Sequence, residues 1–590
     1  MGISMDPYAT VQTIERNTYD LQEDLYIRVV GPYNLETPFT LDVTVTGGIC
    51  GVVQSVPTGL AVISGSQPAS GSHASLILTD SSRLHGTSTE IANALTNLAT
   101  LASRADVNGI IVDLADSKYA RVAFANSQAD QNLGCPFAKN TVAAEIKKVI
   151  DVYRAANPSL QYIVLAGGAD VIPFFQTQDV AGLANEKDYV PPVAPSTASE
   201  AGLQTNLVQG QDGYGSKLNI TQAGYTLALP DLAVGRLVDN ASDISAAINA
   251  YIQTNGVIVP QSSLVTGYDF VGDAAEAIKT ELNAGTNSTA DTLIQAPGLP
   301  PTDPTAWTAD QLRAKLLAGN FDIAMLSGHF SAGNLLAADY TTQISAYEIA
   351  QSSANLNNAL VLALGCHGGY SIPSGDLLGS ISPDPDWAKT FLRKGAAGYI
   401  AATGYAYGDT ELTEYGERLF LLMAQQLRTG NGPVSVGQAI VKAKQQYLAE
   451  TAQLTGIDQK TLIEMTLYGL PMMKVDMPGA HLNSPADASI VGSADPVSTG
   501  PGANFDLRSS AVVLNPNLTT NTKQLQNLLS GGMVTTTYLS GPDGVVVNPF
   551  EPIYPKEIHN VGVNGNQLRG VALRGGSYTD LTGIIPVRSV

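Results

Sequence analysis

Cysteine is scarce in this 590-residue chain: Cys50, Cys135 and Cys366 are all there is. A small fold stapled by several disulfides is excluded. At most one bridge can form, and one thiol must stay free. If Cys50 pairs with Cys135, Cys366 is the free one; the sequence does not decide the pairing. Charge is also thin. Asp, Glu, Lys and Arg make up 14% of the residues, against about 25% in ordinary domains, so Ser, Thr, Asn and Gln must cover much of the surface. Positive charge is the scarcer sign, and the net charge is −21. Such a balance repels phosphate backbones and anionic lipid, which argues against nucleic acid as a partner; its plain reading is solubility. No run of about 18 apolar residues occurs, so no membrane span is expected. The opening stretch MGISMDPYATVQTIERNTYDL lacks the apolar centre of a signal peptide. Either a cytoplasmic protein or a chain starting after a removed leader is consistent with that.

What is present points to a folded chain of several parts. Hydrophobic residues make up 44%, and the length fits about three to five domains. Residues 1–70 read as a β module, because LYIRVVGPY and FTLDVTVTGG alternate apolar and polar positions between turn residues. From 73 to 477 the pattern becomes strand, helix, strand, helix. Apolar runs such as ASLILTD, GIIVDL, QYIVLAGG, FDIAMLSG and ALVLALG alternate with amphipathic stretches such as TEIANALTNLATLA and AAEIKKVIDVYRAA. Continuous apolar strands between such helices predict an α/β domain whose mainly parallel sheet is covered on both faces. Residues 176–226, rich in Pro, Asn and Gly, read as a long loop insertion, exposed and open to cutting at Lys187 or Lys217. From 478 to 590 short strands with tight turns predict a C-terminal β domain.

Two strand ends carry distinctive chemistry. FDIAMLSGHF places His329 just after a buried strand and Gly328, and ALVLALGCHGGY places Cys366 just after the next strand and Gly365. A right-handed crossover through one short helix would make these strands parallel neighbours. Ligands bind at the carboxyl ends of such strands. A thiol beside a neutral imidazole can give up its proton and become a thiolate nucleophile. Gly365, Gly368 and Gly369 leave the backbone open to a substrate. Singly, a buried Cys or a strand-end His is usually structural; the pair at consecutive strand ends is what suggests catalysis. His367 is a rival base, but neighbours in an extended segment point apart, which favours His329.

This ordered set resembles the gingipain-like cysteine peptidases of the caspase–hemoglobinase clan. YIVLAGGADVIPF is similar to an early strand and turn of that family, LPDLAVGRLVDNASDISAAINAYI to its Gly-Arg strand and helix, and GAAGYIAATGYAYGD to the strand after the nucleophile. TLYGLPMMKV resembles its last strand, with Gly-Leu-Pro where Gly-Asp-Pro is common. The resemblance covers 73–477 and implies a caspase-like fold with a Cys366/His329 dyad. It also implies oxyanion donors from the Cys366 N–H and the His329 loop. There Phe330 stands where the clan usually has Gly. By the same resemblance Asp273, in VGDAAEAIK, matches an acid that selects Arg or Lys, and Asp269, in LVTGYDF, approximately matches an acid that orients the His. Asp273 also reads simply as a helix cap.

The expected activity is endopeptidase cleavage of proteins or peptides through a thioester, after Arg or Lys, without a cofactor or metal, by a secreted or surface protein. A weak or inactive relative serving as an adhesin or binding scaffold fits the same motifs. So does a Cys-His hydrolase or transferase acting on another acyl group.

Overall fold

The computed structural model describes residues 50–483 with short interruptions at 66, 69, 223–224, 297–298, 320, 379–385, 410–411 and 452. Outside that span it describes 27, 29, 39–44, 495–496, 508–509, 517–526, 533–547 and 552–558.

The short apolar runs form one ten-stranded sheet. In chain order its strands are β1 (Ser75–Thr79), β2 (Gly109–Asp113), β3 (Tyr162–Ala166), β4 (Ala233–Leu237), β5 (Ser263–Gly267), β6 (Asp291–Ile294), β7 (Ile323–Ser327), β8 (Leu360–Leu364), β9 (Gly398–Ala402) and β10 (Met465–Gly469). Their order across the sheet is β6-β5-β7-β8-β9-β10-β4-β3-β1-β2. The pairs β5/β6, β5/β7, β7/β8 and β8/β9 are parallel, as are β1/β2, β1/β3 and β3/β4. β10 runs antiparallel to β9 and touches β4 at one pair, Tyr468 with Arg236. The α/β class and mainly parallel sheet expected from the sequence are therefore found.

Alternation along the strands shows why the sheet is covered on both faces. In β7, Ile323 and Met325 belong to one apolar core and Ala324 and Leu326 to the other. In β8, Leu360, Leu362 and Leu364 face the first core and Val361 and Ala363 the second. Helices Gly272–Thr286, Gly416–Gln426 and Val436–Glu450 contribute to the first core. Ala309–Ala318 and Trp387–Arg393 contribute to the second. Burying each large apolar side chain contributes about 1.5–3 kcal/mol, which suits strands with no polar face.

Two expectations change. The 176–226 segment is not an exposed, structureless loop. It holds a helix, Ala198–Gln204, a strand, Leu207–Gly210, paired with Phe175–Gln178, and a hairpin of Ser216–Gln222 with Tyr225–Pro230. Its apolar residues Leu203, Leu207, Val208 and Tyr214 are buried, and that burial overrides the loop-like composition. Lys187 is only partly exposed, and Lys217 is exposed but lies in a strand and not in a structureless loop. In the N-terminal region, 39–44 is not a strand, and Phe39, Leu41 and Val43 alternate but stay exposed with no ladder to bury them; most of 1–49 lies outside the described residues. Residues 50–65, without a strand, are tied to the α/β body by a Cys50–Cys135 disulfide, which leaves Cys366 free. In the C-terminal region Met533–Ser540 forms the expected strand, paired with Thr519–Gln526, while GVALRGGS lies outside the described residues. Among the described residues no helix is long and apolar enough to cross a membrane, and no group of three or more His, Cys, Asp and Glu residues is placed to hold a metal ion.

Candidate active site

The site is set by register. Ser327 lies opposite Leu364 in the β7/β8 pair, and Gly328 donates its N–H to the Leu364 carbonyl at 3.0 Å. His329 and Cys366 therefore leave adjacent strands at equivalent positions, on backbones about 4.8 Å apart where strands are parallel neighbours. The two glycines before them serve packing rather than substrate approach. A Cβ on Gly328, whose φ is +156°, would meet the Tyr268 ring at 2.5 Å. A Cβ on Gly365 would meet the Phe330 ring at 2.3 Å and the Gly328 carbonyl at 2.5 Å. Phe330 itself is buried against Trp387, with ring centres 5.7 Å apart.

From those positions the two side chains lean toward different neighbours. The Cys366 thiol, half-buried, donates to the Ala406 carbonyl at 3.6 Å, just beyond β9. Burial pushes its pKa up to about 11, with Glu464 and Glu186 adding to the shift and Lys460 opposing it. Cys366 thus rests as a thiol. His329 leans toward β5, where Tyr268, Phe270 and Tyr340 surround its ring, and its Nε2 lies 3.2 Å from the Tyr340 hydroxyl. Although its outer edge is exposed, this packing lowers its pKa, against the field of Asp269. Among the described residues no hydrogen bond joins Cys366 to His329. Apo dyads are often loose and tighten with substrate.

Asp269, at the end of β5, lies within the electrostatic reach of His329 but does not hydrogen-bond to it. Burial raises its pKa, and its Oδ1 is buried without a partner among the described residues. It acts on His329 through space rather than as a fixed orienting bond. Asp273, in the first turn of Gly272–Thr286, accepts from the Ala274 N–H at 2.8 Å. The N-cap of this helix is Val271, without a side-chain cap bond, so Asp273 is a first-turn acid and not the cap. Its other oxygen pairs with Lys523 at 3.4 Å.

His367 is removed from contention as the base. Its φ of 56° turns it off the strand direction. The ring is buried, stacks on Tyr189 at 3.4 Å between centres, and holds Glu186 at 2.8 Å. Burial lowers its pKa while Glu186 works the other way. Glu186 also meets Lys460 at 2.7 Å, and Lys460 meets Asp179 at 2.8 Å. Burial alone would raise Glu186, yet Lys460 and His367 hold it at about 2. Glu464, fully buried with one oxygen unpartnered among the described residues, is pushed well above the carboxylate range by burial. Sequence reading missed this group. Glu186 and Tyr189 come from the supposed loop, and Lys460 and Glu464 from Gly456–Glu464. The one available signal was two charges, one turn apart, in a short helix between apolar residues.

No family model matches the chain, and no curated protein is found to match it. A solved structure described as "Structure of Protease" aligns with 81% of this chain and 93% of that chain, at a TM-score of 0.40 and 8% identity.

Proposed function

We propose that the chain is a cysteine endopeptidase of the gingipain-like kind, with Cys366 as nucleophile and His329 as proton carrier. The observation that carries this reading is the equivalent placement of His329 and Cys366 at the ends of adjacent parallel strands. Cys366 attacks the scissile carbonyl, and its proton passes to His329 as substrate draws the two together. The imidazolium then protonates the leaving amine, and water, deprotonated by His329, hydrolyses the thioester to release the acid. A low resting pKa keeps His329 neutral and ready to accept the proton. The N–H groups of Cys366 and of the His329 loop are the oxyanion donors of this scheme. Asp269 stabilises the imidazolium through its field. Asp273 recognises Arg or Lys on the acyl side of the cleaved bond. The Cys50–Cys135 disulfide favours a secreted or surface protein, since such bonds persist in oxidising compartments.

A second reading has its own support. The Cys366 thiol rests on Ala406 with a pKa of about 11, unactivated. A weak or inactive protein acting as a binding scaffold would keep that state with substrate bound. Covalent capture by an arginyl peptide acyloxymethyl ketone separates the two. The peptidase reading expects one adduct, on Cys366, lost in His329→Ala. An unlabelled Cys366 at saturating reagent would favour the scaffold.

A further inference from the structure

Asp273 is already engaged. Lys523, its partner at 3.4 Å, belongs to a hairpin of Thr519–Gln526 and Met533–Ser540, paired from Thr519↔Ser540 to Gln526↔Met533. The same hairpin brings Tyr538 into the field of Asp273. Lys556 is buried and lies in the fields of Glu414 and Arg418.

Glu414 and Glu417 stand at the start of Gly416–Gln426, and Glu417 lies in the field of Asp273. Glu417 accepts N–H groups of Asp409 and Glu414 through one oxygen, while the other, buried, has no partner among the described residues. The segment leading into this helix begins with Ala406, whose carbonyl holds the Cys366 thiol. Cys366 touches Ala406, and Glu417 further along the chain feels the charge of Asp273, which Lys523 of the C-terminal region pairs.

We propose that this hairpin is an internal occupant of the site that recognises basic side chains, with Lys523 standing where the Arg or Lys of a substrate would stand. The inference rests on reading Asp273 as the recognition residue of a peptidase. Because the paired strands of the hairpin already hold Lys523 beside Asp273, another basic side chain must displace it, a handicap of about a few-fold for a half-exposed ion pair. An arginine substrate displaces it, because the guanidinium offers a planar fork where lysine offers a single ammonium.

The test uses the full chain, its Lys523→Ala variant and Nα-acetyl-arginine amide as the probe. Hydrogen exchange of 519–540 is followed beside cleavage of arginyl and neutral peptides. The probe is expected to speed exchange of the wild-type hairpin. In Lys523→Ala the exchange is expected to be fast without probe, and kcat/KM for arginyl peptides to rise about two- to fivefold with neutral peptides unchanged, the scale a half-exposed ion pair permits. Hairpin release with no cleavage of any peptide would keep the occupancy and remove the peptidase reading. Active enzyme whose hairpin exchange ignores the probe, or whose arginyl cleavage ignores Lys523→Ala, would overturn the occupancy and leave the peptidase reading standing.

Discussion

Ser327 stands opposite Leu364 in the central sheet, and two residues beyond each lie His329 and Cys366. That relationship makes the pair a unit. Cys366→Ala and His329→Ala are each expected to abolish peptide cleavage, and the double variant to look no worse than either alone. Melting temperatures should move by less than about 2 °C for His329→Ala, whose ring is partly exposed. Substantial cleavage by Cys366→Ala would dismiss the thiol as nucleophile.

The free enzyme should show a protonated thiol. With the Cys366 pKa at about 11, alkylation by iodoacetamide should be slow near pH 7 and accelerate about tenfold per pH unit below that value. A bound arginyl aldehyde should abolish alkylation by forming a hemithioacetal. Fast, pH-independent alkylation above pH 6 would show a preformed thiolate and a different resting site.

The His329 pKa is lowered by the packing of its ring. The acid limb of kcat/KM should therefore fall below pH 6.5, the ordinary value, because activity is lost only when His329 takes up a proton. Asp269→Asn removes the field that favours the protonated ring and should move that limb to lower pH still. An acid limb unaffected by Asp269→Asn would assign it to another group.

The buried charge cluster should set acid stability. Glu186 is held at about 2 in the fold, against an ordinary glutamate value of 4.5. A carboxylate with a depressed folded pKa contributes stability above its unfolded value, and the contribution is lost as pH falls from about 4.5 toward 2. Lys460→Met leaves Asp179 and Glu186 without their common cation and should cost about 3–5 kcal/mol in denaturant unfolding near pH 7. A loss below about 1 kcal/mol would mean the acids are already neutral in the fold.

Asp273→Asn is expected to lower kcat/KM for arginyl peptides by about ten- to a hundredfold and to spare neutral peptides, since the charge-assisted pair with the guanidinium is lost. Equal losses on both would make Asp273 only a support for its helix.

Much of the fold was legible because a buried parallel sheet leaves an unmistakable pattern: five-residue apolar runs such as Ile323–Ser327 and Leu360–Leu364, fully buried on both faces. The placement of Cys366 and His329 at adjacent strand ends was legible for the same reason, since those ends were marked by glycines. The packing need for Gly328 and Gly365 was not legible, because it comes from Tyr268 and Phe330, contacts no local pattern announces. The insertion was misjudged on composition. Its Pro and Asn residues suggested a mobile loop, while Glu186, Tyr189 and Tyr214 anchor it through partners far away in sequence. The hold of Lys523 on Asp273 is likewise a tertiary contact between distant segments.

The most direct measurement is cleavage of a peptide library by the wild-type chain and by Cys366→Ala, read by mass spectrometry. The expected result is a set of cuts after Arg, and more weakly after Lys, present with the wild type and absent with Cys366→Ala. Cuts that persist unchanged in Cys366→Ala, or a wild type that cuts nothing while its Cys366 remains unmodified and Asp273 open, would contradict it.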